Sequence, residues 1–178
     1  DWVVYGGGWY AKDGVFHTTS NAPSGGDMIS GPKAIVPVTD FHDLDYSGKV
    51  EVNNVGDAGL IFRVSDVSIG PNSYRGYYAG ISAEKNKVIL GKSNYDWTEL
   101  KTAEMNLEAG KAHTIRVAAK GRRIMVFVDD LQKPIIEFED DSFSHGSIGV
   151  RRYCPHPERV GTSFSSIKQL QNALCPFL

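Results

Sequence analysis

What the chain has little of narrows it first. Its 178 residues carry two cysteines, a formal net charge of −2, 22% charged side chains and no run of like charges. Without a basic field, neither nucleic acid nor anionic lipid finds an electrostatic footing, and both are excluded as expected partners. No apolar stretch approaches a membrane span, and Asp1-Trp2 does not resemble a signal peptide, so a mature or excised piece is expected. Gly-x-Ser-x-Gly, His-Glu-x-x-His and phosphate-loop motifs are missing, the cysteines lack metal spacing, and His17, His42, His113, His145 and His156 are scattered. Helical periodicity is scarce as well. The one plausible window, Thr98 to Ala109, is weakly periodic and ends at Gly110, which predicts at most a short helical turn.

Glycine is plentiful, with 19 residues, and aromatic side chains make up 11% of the chain, a bias toward turns and strands. Turn signals recur at Asp13-Gly14, Ser47-Gly48, Gly56-Asp57, Gly70-Pro71-Asn72, Lys120-Gly121 and His145-Gly146. Short strand-like runs lie between them, the clearest being Gly59 to Ser65, Tyr77 to Ser82, Lys87 to Lys92, His113 to Ala119, Arg123 to Val128 and Ser147 to Arg151. The segment His113 to Asp129 predicts a hairpin turning at Lys120-Gly121, with Ile115, Val117, Ala119, Ile124, Val126 and Val128 inward. With no linker, repeat or low-complexity tract, residues 1–178 are expected to form one all-β domain, two antiparallel sheets stacked as a sandwich.

The segment Asp57 to Trp97 sets arginine and clustered tyrosines between alternating apolar runs. Strict alternation puts Leu60, Phe62 and Val64 on one face and Ile61, Arg63 and Ser65 on the other, so Arg63 is expected to face away from the core. A forked guanidinium beside tyrosine rings suits a ligand studded with hydroxyls. A surface ion pair between Arg63 and Asp66 is the plainer alternative. The loop beyond it contributes Asp66, Asn72, Tyr74 and Arg75 as further ligand candidates, or merely as loop-shaping residues. Of Tyr77 and Tyr78 one must face the core. Parity puts Tyr77 outward with Ala79 and Ile81 if Tyr78 is inward, and a one-residue slip reverses the pair. Trp97 either stacks on a sugar face or belongs to the core. Ile148 and Val150 alternate inward, leaving Gly149 and Arg151 opposite; Arg151 or Arg152 would join Arg63 in a polar pocket, or else hold the C-terminal tail.

The pieces YGGGWYAKDGVFHT, DFHDLDYSGKVEV, DAGLIFRVSD with YRGYYAGI, KVILGK, GKAHTIRVAAKGRRIMVFVDD, PIIEFEDDSF, GSIGVRRY and FSSIKQL, in this order, resemble carbohydrate-binding modules of family 66. These modules are appendages of levanases and other glycosidases. The resemblance covers nearly the whole chain and implies a concanavalin A-like jelly-roll β-sandwich. It further implies a non-catalytic, secreted module that recognises the non-reducing end of a polysaccharide such as fructan and targets an attached or partner glycosidase. The tail RRYCPHPERVGTS and QNALCPFL departs from the family pattern.

In that tail Cys154 and Cys175 are about 20 residues apart, and a disulfide closing this loop would add on the order of 3 kcal/mol. Two buried thiols are the alternative. The rival enzyme reading places a catalytic carboxylate pair at Glu137 and Glu139, with Asp141 beyond, but the run lacks the glucanase spacing of a third acid and a charged sheet edge is the favoured reading. A protein-binding adhesion face is the other rival. No cofactor is expected; Asp40, Asp43, Asp45, Asp140 and Asp141 offer hard oxygens to a structural calcium, but no EF-hand-like spacing supports one.

Overall fold

Alternating apolar positions and closely spaced turns produce fourteen strands and no helix among the described residues, which are 2–19, 31–155 and 162–169 of this computed structural model. One sheet runs in the order β1 (Val3–Tyr5), β4 (Lys33–Ile35), β13 (Ser147–Tyr153), β6 (Asp57–Ser65), β7 (Arg75–Ser82), β8 (Lys87–Asn94) and β9 (Trp97–Glu104). The other runs β12 (Ile136–Glu139), β11 (Arg123–Val128), β10 (Ala112–Lys120), β5 (Leu44–Val52), β14 (Thr162–Gln169), β3 (Val15–Thr19) and β2 (Gly8–Lys12). Every pairing is antiparallel. The architecture is the expected jelly-roll β-sandwich.

The core lies between the sheets. Leu60, Phe62, Ile148 and Val150 from the first sheet meet Val50, Ile115, Val117 and Val126 from the second. The β10–β11 hairpin has its six anticipated residues in that core, with Lys120 opposite Arg123 at the turn. Each fully buried aliphatic or aromatic side chain contributes roughly 1.5–3 kcal/mol. Tyr46 crosses the core, its hydroxyl donating to the Gly149 carbonyl of the opposite sheet at 2.9 Å. A second apolar cluster, including Ile35, Ile61, Tyr78 and Ile89, lies apart from this core, with Tyr5, Val67 and Trp97 packed against it.

Three sequence expectations are corrected here. The segment from Thr98 is no helical turn, since Trp97–Glu104 is edge strand β9. Glu99 sits opposite Gly91 and Lys101 opposite Leu90, so Leu100 is an extra residue, and this break in alternation imitates a weak helical period. Tyr77, Ala79 and Ile81 face the core, whereas Tyr78 joins the second cluster. Arg63 does not face solvent: it is 1% exposed. Phe62 pairs with Tyr77 and Ser65 with Arg75, so Arg63 and Val64 together oppose Gly76 in a β-bulge, with Arg63 in the left-handed region at φ 51°. Beyond the bulge the parity changes. Val64 therefore joins Ile61 instead of Leu60 and Phe62.

Candidate functional site

The bulge turns Arg63 into a clamp. Its Nε donates to the His42 carbonyl at 2.9 Å and an Nη to the Phe143 carbonyl at 3.2 Å, while Asp43 lies 3.9 Å away. The alternative partner Asp66 instead meets Arg75 at 3.5 Å. Gly146 (φ 146°) passes so close to the bulge that a Cβ there would stand 2.5 Å from the Arg63 carbonyl carbon. The ends of β6, β7 and β13 and the loops before β5 and β13 are thus held together.

Around this junction opens a cleft of about 440 Å³, lined by Thr39, Asp40, Val64, Ser65, Arg75, Ser142, Phe143, Ser144, His145, Gly146 and Ser147. Hydroxyl side chains dominate its polar wall. The Arg75 guanidinium is exposed and lies 5.8 Å from the Phe143 ring centroid. Asp66 accepts from the Ser65 hydroxyl at 3.3 Å beside it. Such a wall offers donors, acceptors and one apolar edge, the mixture that a hydroxyl-rich molecule needs. A second hollow, about 390 Å³, is bounded by Lys85, Asn86, Glu104, Met105 and Asn106 and presents neither guanidinium nor aromatic ring.

Asn72, Tyr74, Trp97 and Arg151 gather elsewhere, beneath the loop between β6 and β7. Arg151 is 3% exposed, with its guanidinium carbon 4.9 Å from the Tyr78 ring centroid and 5.4 Å from that of Trp97. Its donors are engaged by the Pro71 carbonyl (3.0 Å), Asp57 (3.5 Å) and the Asn72 side-chain oxygen (3.3 Å). Lys33 donates to the Gly70 carbonyl, and the Ser93 hydroxyl to the Asn72 carbonyl at 2.6 Å. Gly70, Pro71 and Asn72 are thereby fastened to the sheet. Tyr74 is fully buried, and half-buried Trp97 packs against Gly91, where a Cβ would meet its ring at 2.2 Å. Asn72, Tyr74, Tyr78, Trp97 and Arg151 therefore act first as a lock on the loop.

Burial sets the electrostatics of this lock. It lowers the Lys33 pKa, with help from the Arg151 charge, to about 7. It pushes the Asp57 carboxyl up against the opposing pull of Arg151 and of the Tyr78 hydroxyl, which donates to it at 2.6 Å. Burial lowers Arg151 too, but the neighbouring Tyr74 and Asp57 outweigh it and hold the guanidinium above its ordinary value.

Arg152 does not share the Arg151 site. It reaches toward the other sheet, where an Nη donates to the Thr18 hydroxyl at 3.3 Å. Glu137 and Glu139 stand exposed on edge strand β12, paired with Arg123 at 2.9 Å and Arg122 at 3.0 Å, as a charged sheet edge should be. The five aspartates considered for calcium do not converge. Asp45 binds Arg116 in a fork at 2.8 and 2.6 Å, and Asp43 accepts from the Gly121 amide at 2.9 Å. Burial raises the Asp140 pKa, but hydrogen bonds from Lys92, Ser142 and Tyr77 outweigh it and hold the carboxyl well below the usual range. Cys154 is buried, and its expected disulfide partner Cys175 lies outside the described residues.

Of the residues sequence reasoning proposed, Arg75 lines the cleft and Asp66 pairs with it from beside, whereas Thr39, the Ser142–Ser147 segment and, in the lock, Lys33 and Asp57 were missed. The stretch Ser142-Phe143-Ser144-His145-Gly146 carries only a turn signal. Nothing local joins it to Arg75, because the neighbourhood arises from the order β4-β13-β6-β7.

Known proteins share this architecture. The chain is similar to the carbohydrate-binding module CBM66 of Bacillus subtilis, at 18% identity and TM-score 0.75 over 96% of this chain and 95% of that one. It is also similar to a Bacillus subtilis protein of unknown function with a galectin-like fold, at 15% identity and TM-score 0.73 over 96% and 89% of the two chains. In sequence, 110 residues, 61% of the chain, are 29% identical to a levanase of Bacillus sp. (strain L7). That match spans 11% of the levanase's length. The anticipated likeness to family-66 modules is borne out. Residues 1–156 match one family throughout, and the chain belongs to the 3-keto-alpha-glucoside-1,2-lyase-like domain family.

Proposed function

We propose that this protein is a secreted, non-catalytic carbohydrate-binding module whose cleft receives the terminal sugar of a polysaccharide, fructose of a fructan first among them. It would hold an attached or partner glycosidase against that polysaccharide. The observation that carries the reading is the open, hydroxyl-lined cleft of about 440 Å³ with Arg75 and Phe143 on its wall. The likeness to CBM66 and to a levanase supports the choice of ligand class. Glu137 and Glu139, the carboxylates considered for catalysis, are already in surface ion pairs, which supports a binding role over hydrolysis. Hydrogen bonds exchanged with water contribute only about 0.5–1.5 kcal/mol each, so modest affinity built from several contacts is expected.

Calorimetric titration with fructan, arabinan and galactan tests this reading. Binding of one of them, lost in Arg75→Ala, is the expected result. A blank glycan array together with capture of a protein partner overturns it. The family description favours a second reading, lyase chemistry on a keto sugar in the same cleft, where His145 is hydrogen-bonded to Asp40 at 2.6 Å. Turnover of such a sugar by the wild-type protein, abolished in His145→Ala, would establish it.

A further inference from the structure

One wall of the cleft carries a group of side chains that sugar binding does not require. Asp40 and His42 stand two residues apart before β5, and His145 lies on the loop before β13. One ligand atom from each lies within 4.8 Å of the others. His145 Nδ1 is 2.6 Å from Asp40 Oδ1, and the His42 and His145 rings stack with centroids 4.9 Å apart. In water, two stacked imidazoles beside one exposed carboxylate gain little from each other.

The backbone under these three side chains is fixed. Phe41 and Gly146 exchange both of their backbone hydrogen bonds, at 2.8 and 3.2 Å, and so tie the two segments side by side. Buried Arg63 binds the same segments from beneath through the His42 and Phe143 carbonyls. All three side chains above this clamp are exposed.

We propose that Asp40, His42 and His145 form a site for a divalent transition-metal ion, Zn²⁺ foremost. Two imidazole nitrogens and one carboxylate oxygen suit Zn²⁺ and its neighbours, whereas calcium and magnesium require mainly oxygen ligands. Tetrahedral Zn²⁺ with bonds of about 2.0–2.2 Å sets its donor atoms about 3.3–3.6 Å apart. The donor atoms stand within 4.8 Å of one another, with the Asp40–His145 pair at 2.6 Å, so side-chain rotation that opens this pair and closes the others reaches that spacing with the backbone unmoved. Three protein ligands leave a fourth position for water or a ligand oxygen, on the cleft that Asp40 and His145 line. This inference goes beyond sugar binding and stands independently of it.

The test uses the untagged chain, stripped with a chelator and titrated with Zn²⁺ by calorimetry and with Co²⁺ by visible absorption. One Zn²⁺ per chain, a tetrahedral Co²⁺ spectrum displaced by Zn²⁺, and no heat with Ca²⁺ are expected. His42→Ala and His145→Ala each lose both signals, and Asp40→Asn weakens them. Thermal unfolding of the metal-free variants stays that of the wild type, because the side chains are exposed. Zn²⁺ binding undiminished in the double variant, equal binding of Ca²⁺, or no Zn²⁺ binding by the wild type would each overturn the proposal. Polysaccharide titration of the metal-free protein, run separately, decides the sugar-binding reading.

Discussion

Lys33 makes the stability of this protein depend on pH in an unusual direction. The side chain is fully buried on β4, bonded to the Gly70 carbonyl, with the Tyr74 ring centroid 5.8 Å away. Burial and the Arg151 charge lower its pKa from 10.5 to about 7. Between those values the unfolded chain retains a proton that the folded chain has shed, so stability rises with pH. For one group so shifted, the rise from pH 7 to pH 9 is about 2 kcal/mol, which raises the Tm by roughly 4–8 °C in a domain of this size. Above about pH 10 the trend reverses, because burial raises the folded-state pKa of Tyr46, Tyr74, Tyr77 and Tyr78 and the unfolded chain ionises first. Urea unfolding of wild type and Lys33→Met at pH 7, 8 and 9 isolates the effect, since every other titrating group is common to both. The wild type should gain stability across the series relative to the variant. Parallel pH profiles for the two proteins would refute the reasoning.

Other substitutions separate the cleft from its supports. Arg75→Ala should abolish polysaccharide binding in calorimetry while leaving stability within about 0.5 kcal/mol, because the side chain is exposed. Arg63→Met leaves two carbonyls without their donor and should cost on the order of 3 kcal/mol by urea unfolding. Tyr78→Phe removes the 2.6 Å hydrogen bond to Asp57 and should cost about 1.5–3 kcal/mol, seen as a lower Tm. Gly146→Ala forces a side chain into φ 146° against the Arg63 backbone and should destabilise by about 1–3 kcal/mol or more in the same unfolding assay.

Much of the architecture was legible because alternation and turn chemistry are local. The β10–β11 hairpin could be read residue by residue, and Ile148 and Val150 were correctly separated from Gly149 and Arg151. Reading failed where one extra residue broke the period. At Arg63 and at Leu100 a bulge shifts the parity of the residues beyond it, and neither bulge has a sequence signature as plain as glycine in a turn. The Tyr77–Tyr78 assignment rested on the same fragile parity, with two residues of equal size and polarity competing for one inward position.

The site was legible only in its ingredients. Of the arginines and tyrosines near the long loop, Arg75 lines the cleft while most of the others lock that loop, and the cleft takes much of its wall from serines and a histidine far along the chain. Composition and periodicity by themselves determined the all-β class, the hairpins and the inward faces, because these depend on interactions a few residues long. Which guanidinium is buried and which meets solvent was decided only by the tertiary structure, since strand order and bulges set which distant loops share one end of the sandwich.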